Sequence, residues 1–459
     1  MGSKRNFVRA FAKQIGMDGA IAYSSAARIF QAFAGVVSVF IIATFLSGPE
    51  QGYFFTFNSI LAIQIFFELG FTGIMTQYVA HEVVHLNLNE DCFYVGEERY
   101  KSRLSYLVRF CLKWYSLVAV LFLVIIIIVG LVYFGRYAST EDNVNWQAPW
   151  YLLSFSTAVK LFQSPFTAIY TGLGKVKEMN KITFYQQLII PISQWTMFAC
   201  GLKLYVVGIS SLLGVIIWWL YVLNTGLWRI LFNLLKEKVT ETISYMKEIF
   251  PYQWKIAVSW ISGYFIFQLF NPVLFATEGA VVAGQMGMTV QVLSAIQSLA
   301  LSWQNTKIPR YCGYIEMKQY NELDSLFSKT LKQMVGVCLA ILLFFYVVIV
   351  FLRTTRFSIG ETVFADRFLD YLPMFFMTVP VIVNQYVTSW ATYLRCHKQE
   401  PFLVNSVVMG ILCLISTLVF GNLYGVYGIT IGYSMLTVCV ALPWSYSIYK
   451  NKKINWHHE

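Results

Sequence analysis

Leu117-Val-Ala-Val-Leu-Phe-Leu-Val-Ile-Ile-Ile-Ile-Val-Gly-Leu-Val132, extended by Tyr133 and Phe134, is an unbroken apolar run. Val335–Leu352 is a second one. About 18–20 apolar residues wound as a helix cross the roughly 30 Å hydrocarbon core of a bilayer. Within that core only helices and closed barrels satisfy every backbone polar group. Comparable runs recur along all 459 residues, with no intervening stretch long enough for a separate soluble domain. The chain is 57% hydrophobic and 12% charged; soluble domains carry about 25% charged residues. Its mean hydropathy is +0.59. The sequence therefore reads as an all-α integral membrane protein.

Working outward from the two runs, the spans read as 19–46, 52–80, 106–134, 149–172, 182–202, 204–228, 251–276, 281–306, 330–353, 367–395, 401–421 and 424–449. This makes about twelve transmembrane helices. The polar-rich stretch 229–250 divides them into an N-terminal six-helix bundle, 1–228, and a C-terminal one, 251–459. Short loops and tight Gly/Pro turns argue for compact helical packing.

The net charge of +11 would suggest nucleic acid in a soluble chain. Here the basic residues sit in short loops between spans, and no nucleic-acid partner is expected. Of 34 Lys and Arg, 27 fall on one side; only Arg136, Lys203, Arg353, Arg356 and Arg367 fall on the other, and Arg28 and Lys160 lie inside spans. Basic loops stay in the cytoplasm, so both termini are expected there. The basic N-terminus lacks the apolar core of a signal peptide, and Asn6 departs from the myristoylation pattern. The eight Cys are scattered without metal-ligand spacing, so free thiols are expected and no metal site.

The end of span four, Tyr170-Thr-Gly-Leu-Gly-Lys175, and that of span ten, Thr392-Tyr-Leu-Arg-Cys-His-Lys398, share a small-aromatic-basic order. Six spans separate them, so the halves run the same way through the membrane. Parallel repeats of this kind enclose a site at their interface.

Polar stripes at helical spacing mark faces turned toward protein or water. Span one carries Ser24, Arg28, Gln31, Gly35 and Ser38; span two Gln64, Glu68, Thr72 and Thr76; span four Ser156, Lys160, Gln163, Thr167 and Thr171. Span seven carries Gln253, Trp260, Tyr264, Gln268 and Asn271; span eight Ser294, Gln297, Ser298, Gln304 and Asn305; span ten Asn384, Thr388, Thr392 and Arg395. Spans three, six, nine and twelve are poor in polar groups and are expected to face lipid. Ser, Thr and Gly alone would mark packing seams; Arg, Glu and Lys on the same stripes argue for a cavity.

Arg28, Glu68 and Lys160 carry most of the information. A charge at the bilayer centre costs from about 3 to over 10 kcal/mol, so it persists when paired or hydrated. One reading is a buried salt bridge of Arg28 or Lys160 with Glu68, or an Arg28 that snorkels to the surface. The other is that two cations against one carboxylate leave positive charge for an anionic ligand such as a diphosphate, since Arg offers a fork and Lys a point charge. Gln31 and Gln163 share the stripes of Arg28 and Lys160. Most of the 13 Trp and 29 Tyr are interfacial anchors; Trp260, Tyr264 and Trp303 are the candidates for sugar contacts, and Gln268 is a candidate substrate-binding residue of the cavity.

Phe45-Leu-Ser-Gly-Pro-Glu-Gln-Gly-Tyr-Phe-Phe-Thr-Phe57, Ile65-Phe-Phe-Glu-Leu-Gly-Phe-Thr-Gly-Ile-Met-Thr-Gln-Tyr-Val-Ala-His-Glu82 and Ser25-Ala-Ala-Arg28-Ile-Phe-Gln31 resemble bacterial O-antigen and polysaccharide flippases. These belong to the multidrug/oligosaccharidyl-lipid/polysaccharide (MOP) exporter superfamily. The resemblance covers roughly residues 20–85; beyond it only span number and loop pattern agree. It implies a MATE-like pair of six-helix bundles around a cationic cavity, in the bacterial inner membrane. It also implies alternating access, driven by an ion gradient or the membrane potential. The substrate would be undecaprenyl-diphosphate-linked oligosaccharide, an O-antigen or related repeat unit used in lipopolysaccharide and other polysaccharide biosynthesis. Arg28 and Glu68 fall inside the matching motifs, Glu68 as a site for a coupling ion (H+ or Na+) or a salt bridge. Lys160 does not, and rests on the physical argument.

No catalytic residues and no cofactor are expected. The outer loops 135–148 and 354–366 are too short to carry the paired acid/base groups of a polymerase or glycosyltransferase, and no Gly-x4-Gly-Lys-Ser/Thr phosphate loop occurs. His81, Glu82 and His85 read as solvated charge at a loop edge rather than a metal site. A multidrug exporter of the same fold is the main alternative, although its cavity would favour carboxylates. Polysaccharide assembly enzymes are candidate partners, alongside membrane lipid.

Overall fold

The computed structural model describes residues 19–241, 243–359, 362–397 and 401–458. Its helices run α1 Gly19–Phe45, α2 Gly48–Leu61, α3 Ile65–Glu68, α4 Phe71–Val83, α5 Glu98–Tyr137, α6 Gln147–Gly172, α7 Val176–Ala199, α8 Tyr205–Asn224 and α9 Leu227–Lys236. They continue as α10 Phe250–Phe267, α11 Phe270–Thr277, α12 Ala280–Asn305, α13 Ile308–Glu316, α14 Tyr320–Thr355, α15 Tyr371–Arg395, α16 Leu403–Leu436 and α17 Leu442–His458. Two short antiparallel hairpins interrupt them: β1 Leu86–Leu88 with β2 Tyr94–Gly96, and β3 Ser358–Ile359 with β4 Thr362–Val363.

The expected spans are present, several of them in pieces. Span two comprises α2 to α4, with a 3-10 turn at Ala62–Gln64 between the first two pieces. Span seven comprises α10 and α11. Spans eleven and twelve meet inside α16 at Gly425, whose φ of 55° and ψ of −135° are not helical. Six stretches are long and apolar enough to cross a bilayer by length and composition alone. The remaining spans are helices of 24 to 27 residues, still long enough at 1.5 Å per residue. The protein is a multi-pass α-helical membrane protein. Large exposed apolar side chains run along span three (Val120, Val124, Ile128, Val132), span six (Ile216, Leu220, Leu223), span nine (Leu343, Phe344, Val347, Phe351) and span eleven (Ile411, Ile415, Leu418, Val419). Span eleven, outside the expected lipid-facing set, carries such a row as well. All eight cysteines are free.

The contacts divide the chain into two compact units: residues up to 34, 64–132 and 145–257 form one, and 35–63, 133–144 and 258 onward the other. The hairpin joining spans one and two therefore belongs with the C-terminal half of the chain.

In the first unit small residues let helices approach closely. A Cβ on Gly172 would stand 2.7 Å from the Thr76 carbonyl oxygen, and one on Gly208 would stand 2.8 Å from Leu152. Such contacts stand in for the hydrophobic drive that water would supply. At the basic end, Arg103 bonds Glu82 at 2.9 Å and Glu248 at 3.1 Å. Ser102 accepts the amides of Thr240 and Glu241 at 2.7 and 2.8 Å. These bonds hold the segment after α9 against α5. The stretch 229–250, read from the sequence as a polar connector, holds most of an amphipathic helix (α9) and a π turn at Tyr245–Ile249.

In the second unit that hairpin, capped at Ser47 by a reciprocal Ser47–Glu50 box, packs on α12. Cβ atoms on Gly52 or Gly287 would stand 1.8 Å from the Ala280 carbonyl oxygen and 2.2 Å from the Phe55 ring. Ala280-x3-Gly284 is a small-x3-small seam of the membrane type. The buried Gln51 side-chain nitrogen donates to the carbonyls of Gly284 (2.8 Å) and Arg367 (3.1 Å), and Arg367 donates to the Leu46 carbonyl at 2.6 Å.

Candidate functional site

The second unit carries a half-open cavity of about 370 Å³, within the range of small-molecule sites, roughly 300–1,000 Å³. Span two places Asn58 and Ser59 on it, span seven Gln268 and Asn271, and span eight Gln291, Ser294, Gln297 and Ser298. Asn384 of span ten and Tyr433 of span twelve complete its polar wall. Asn271 donates to Ser59 at 3.1 Å and Asn384 to the Tyr433 hydroxyl at 3.4 Å. Apolar side chains, among them Phe55, Phe267, Phe270 and Met377, fill the rest. Every polar side chain on this wall is neutral. Amides and hydroxyls both donate and accept, which suits a ligand studded with hydroxyl groups and gives a cation no counter-charge.

Six of these residues lie on the stripes of spans seven, eight and ten. Asn58, Ser59, Gln291 and Tyr433 were not on any stripe read from the sequence. The Asn58-Ser59 pair was the available signal, since two adjacent polar residues in span two need somewhere to go.

In the first unit span two breaks next to Glu68. Leu69 (φ 49°) and Gly70 (φ 66°) are both left-handed, a conformation that costs a non-glycine residue about 1–2 kcal/mol. A Cβ on Gly70 would stand 2.4 Å from Ile256 Cγ2, so this position needs glycine. The half-buried Glu68 carboxylate accepts from Thr72 Oγ1 at 2.6 Å, and Tyr115 lies within its electrostatic reach. Lys160 is exposed, and among the described residues no carboxylate lies within 4.0 Å of its ammonium. Gln163 is buried, its side-chain oxygen without a partner among the described residues. Gln31 is exposed, and the Arg28 side chain lies outside the described residues.

In the second unit Gln268 lines the cavity. Tyr264, one turn earlier, is buried, whereas Trp260 and Trp303 are 43% and 45% exposed and lie outside the cavity lining. His85 stacks on Tyr100 with ring centroids 4.0 Å apart, and Glu82 is taken by Arg103. Among the described residues no three His, Cys, Asp or Glu side chains group as metal ligands.

No protein-family model matches the sequence, and no curated protein matches it. Solved structures do match. An inward-facing multidrug resistance MATE family transporter of the MOP superfamily is 12% identical with a TM-score of 0.66, covering 94% of this chain and 98% of its own. The fold is MATE-like. The lipid II flippase MurJ in an inward closed conformation matches at a TM-score of 0.54 and 15% identity, over 95% of this chain and 90% of its own. The Vibrio cholerae MATE transporter VcmN matches at 0.53 and 14%, over 98% and 99%. Matches across nearly the whole length account for all the spans together. At these identities they establish the MATE-like architecture shared by multidrug and lipid transporters, and leave the cargo to the chemistry of the site.

Proposed function

We propose that this protein is a flippase that carries undecaprenyl-diphosphate-linked oligosaccharide from the cytoplasmic to the periplasmic leaflet of the bacterial inner membrane by alternating access. The observation that carries this reading is the cavity of the second unit, whose ten hydrogen-bonding side chains include no carboxylate. Such a wall exchanges hydrogen bonds with sugar hydroxyls and offers no counter-charge to a cation. The exposed ammonium of Lys160 supports the same reading, because a diphosphate is the group that would repay an uncompensated cation at that depth. Arg28 is assigned with Lys160 to the diphosphate, and Glu68 to a coupling ion, H+ or Na+.

Both termini are placed in the cytoplasm on the loop charges, and the sequence halves 1–228 and 251–459 are the bundles that move. The buried Gln51 and Arg367 bonds join the outer hairpin of the first half to the second, and are assigned as a latch that opens for periplasmic release. No catalytic step is assigned to the protein; enzymes that assemble the glycan act before and after it.

A cation-coupled multidrug exporter is the second reading, favoured by the Glu68 carboxylate at a broken helix. The two are separated by reconstituting the full chain in proteoliposomes. Time-dependent flipping of lipid-linked oligosaccharide is expected, lowered at least tenfold by Gln268→Leu with Asn384→Leu. Gradient-driven uptake of a cationic dye without oligosaccharide flipping would overturn the assignment.

A further inference from the structure

The first unit carries a surface helix that the transport reading does not use. Span six ends at Thr225, Gly226 turns the chain with a φ of 71°, and α9 begins at once with Leu227-Trp-Arg-Ile-Leu-Phe-Asn-Leu-Leu-Lys236. The helix thus starts where a transmembrane helix stops, at the edge of the bilayer.

Its two faces oppose one another. Leu227, Ile230, Leu231 and Leu234 are buried. On the opposite side Trp228, Arg229, Phe232 and Lys236 fall within an arc of about 100°, at 3.6 residues per turn. All four are exposed, and no acidic residue lies on the helix. The cations sit against the aromatic rings: the Arg229 guanidinium is 5.9 Å from the Trp228 centroid and the Lys236 ammonium 4.2 Å from that of Phe232. An exposed Trp and Phe interleaved with cations is wrong for water. It suits the headgroup boundary, where rings enter the acyl region and cations stay with phosphate.

The helix is also fixed in place. Arg109 of α5 donates to the carbonyls of Leu235 and Glu237, both at 2.7 Å, closing the C-terminal end of α9. Asn233 donates to the Cys92 carbonyl at 3.0 Å, tying the helix to the β1–β2 hairpin. The outward face is therefore presented in a set orientation.

We propose that the outward face of α9 is a binding site for anionic phospholipid. Trp228 and Phe232 are seated in the membrane interface, and Arg229 and Lys236 hold the headgroup phosphates. The occupant follows from charge complementarity and from the direct continuity of α9 with a membrane span. A basic residue near an anionic membrane surface gains roughly fivefold in binding, so the pair gives about 30-fold.

The test is hydrogen exchange of residues 226–238 in the full chain, held in nanodiscs of phosphatidylcholine alone or mixed 3:1 with phosphatidylglycerol. Exchange is expected to slow in the anionic discs by up to about 30-fold, as ligand binding stabilises the docked helix. Arg229→Gln with Lys236→Gln should abolish that difference, whereas Arg229→Lys with Lys236→Arg should keep most of it. Equal exchange in both disc types, or slowing that persists in the Gln pair, would overturn the proposal. Protection that rises with protein concentration in phosphatidylcholine alone would assign the face to a second copy of the chain and overturn it equally. The readout contains no transport step, so it stands apart from the flippase reading.

Discussion

Replacing Gln51 by Leu separates the outer latch from the fold around it. Gln51 is 1% exposed, and its amide nitrogen bridges Gly284 and Arg367 at 2.8 and 3.1 Å. Leu has nearly the same volume, so little cavity forms, but both hydrogen bonds disappear. A buried neutral hydrogen bond is worth about 1 kcal/mol net, so the closed contact loses roughly 2 kcal/mol, or about 30-fold in its opening equilibrium. Leu46 is a suitable reporter, because it is 1% exposed and its carbonyl accepts from Arg367. With the native cysteines replaced and Leu46→Cys introduced, a membrane-impermeant maleimide added from outside labels in proportion to the open fraction. The Gln51→Leu protein is expected to label about 30-fold faster than its parent. A labelling rate within threefold of the parent, combined with a lowered unfolding midpoint, would show that Gln51 supports the fold and gates nothing.

Three further outcomes follow from named contacts. Lys160→Ala should leave membrane insertion and thermal stability unchanged, because no carboxylate pairs with it among the described residues, and should lower oligosaccharide flipping about 10- to 100-fold, the worth of one charge-assisted bond; Lys160→Arg should retain most of the activity in the same proteoliposome assay. Glu68→Gln still accepts the Thr72 bond, so stability should change by less than about 1 kcal/mol, while transport stops responding to an imposed proton or sodium gradient. Burial lowers the His397 pKa, where the ring sits 4.8 Å from Trp456 of the C-terminal helix. A base with a depressed folded pKa takes up protons more readily when unfolded, so stability is full above pH 6.5 and falls as the pH drops from there toward the folded pKa; His397→Gln should flatten the dependence of the unfolding midpoint on pH over that window.

Much of the architecture was legible because bilayer thickness imposes a length and a composition that survive in one sequence. The runs at 117–134 and 335–352 needed no partner to be recognised, and polar periodicity placed Gln268, Asn271, Ser294, Gln297, Ser298 and Asn384 on inward faces before any helix was paired with another. Periodicity gives the face of a helix, and is silent about which helix it meets. That is why Gly52 and Gly284, whose backbones touch, carried no signal as a pair. It is also why Asn58 and Ser59 stayed unassigned: their cavity is completed by spans seven, eight and ten, more than 200 positions later. The amphipathic α9 was hidden by its own composition, since Arg229, Lys236 and the following charges make 229–250 look like a linker when only their sum is read.

The break in span two gives these observations a common mechanical sense. The compact units divide span two at residues 63 and 64, within the stretch where the 3-10 turn, Leu69 and Gly70 interrupt the helix. An intact transmembrane helix transmits bending along its length because each residue is tied to the next turn. Between 62 and 70 the regular helix is interrupted; the segment carrying Gln51, Asn58 and Ser59 packs on α12, and α4 is tied through Thr76 to the Ala168 carbonyl at 3.2 Å. Glu68 is the last residue before the left-handed pair Leu69 and Gly70. On the proposed assignment of a coupling ion to Glu68, its ligation would be felt first at this break in span two.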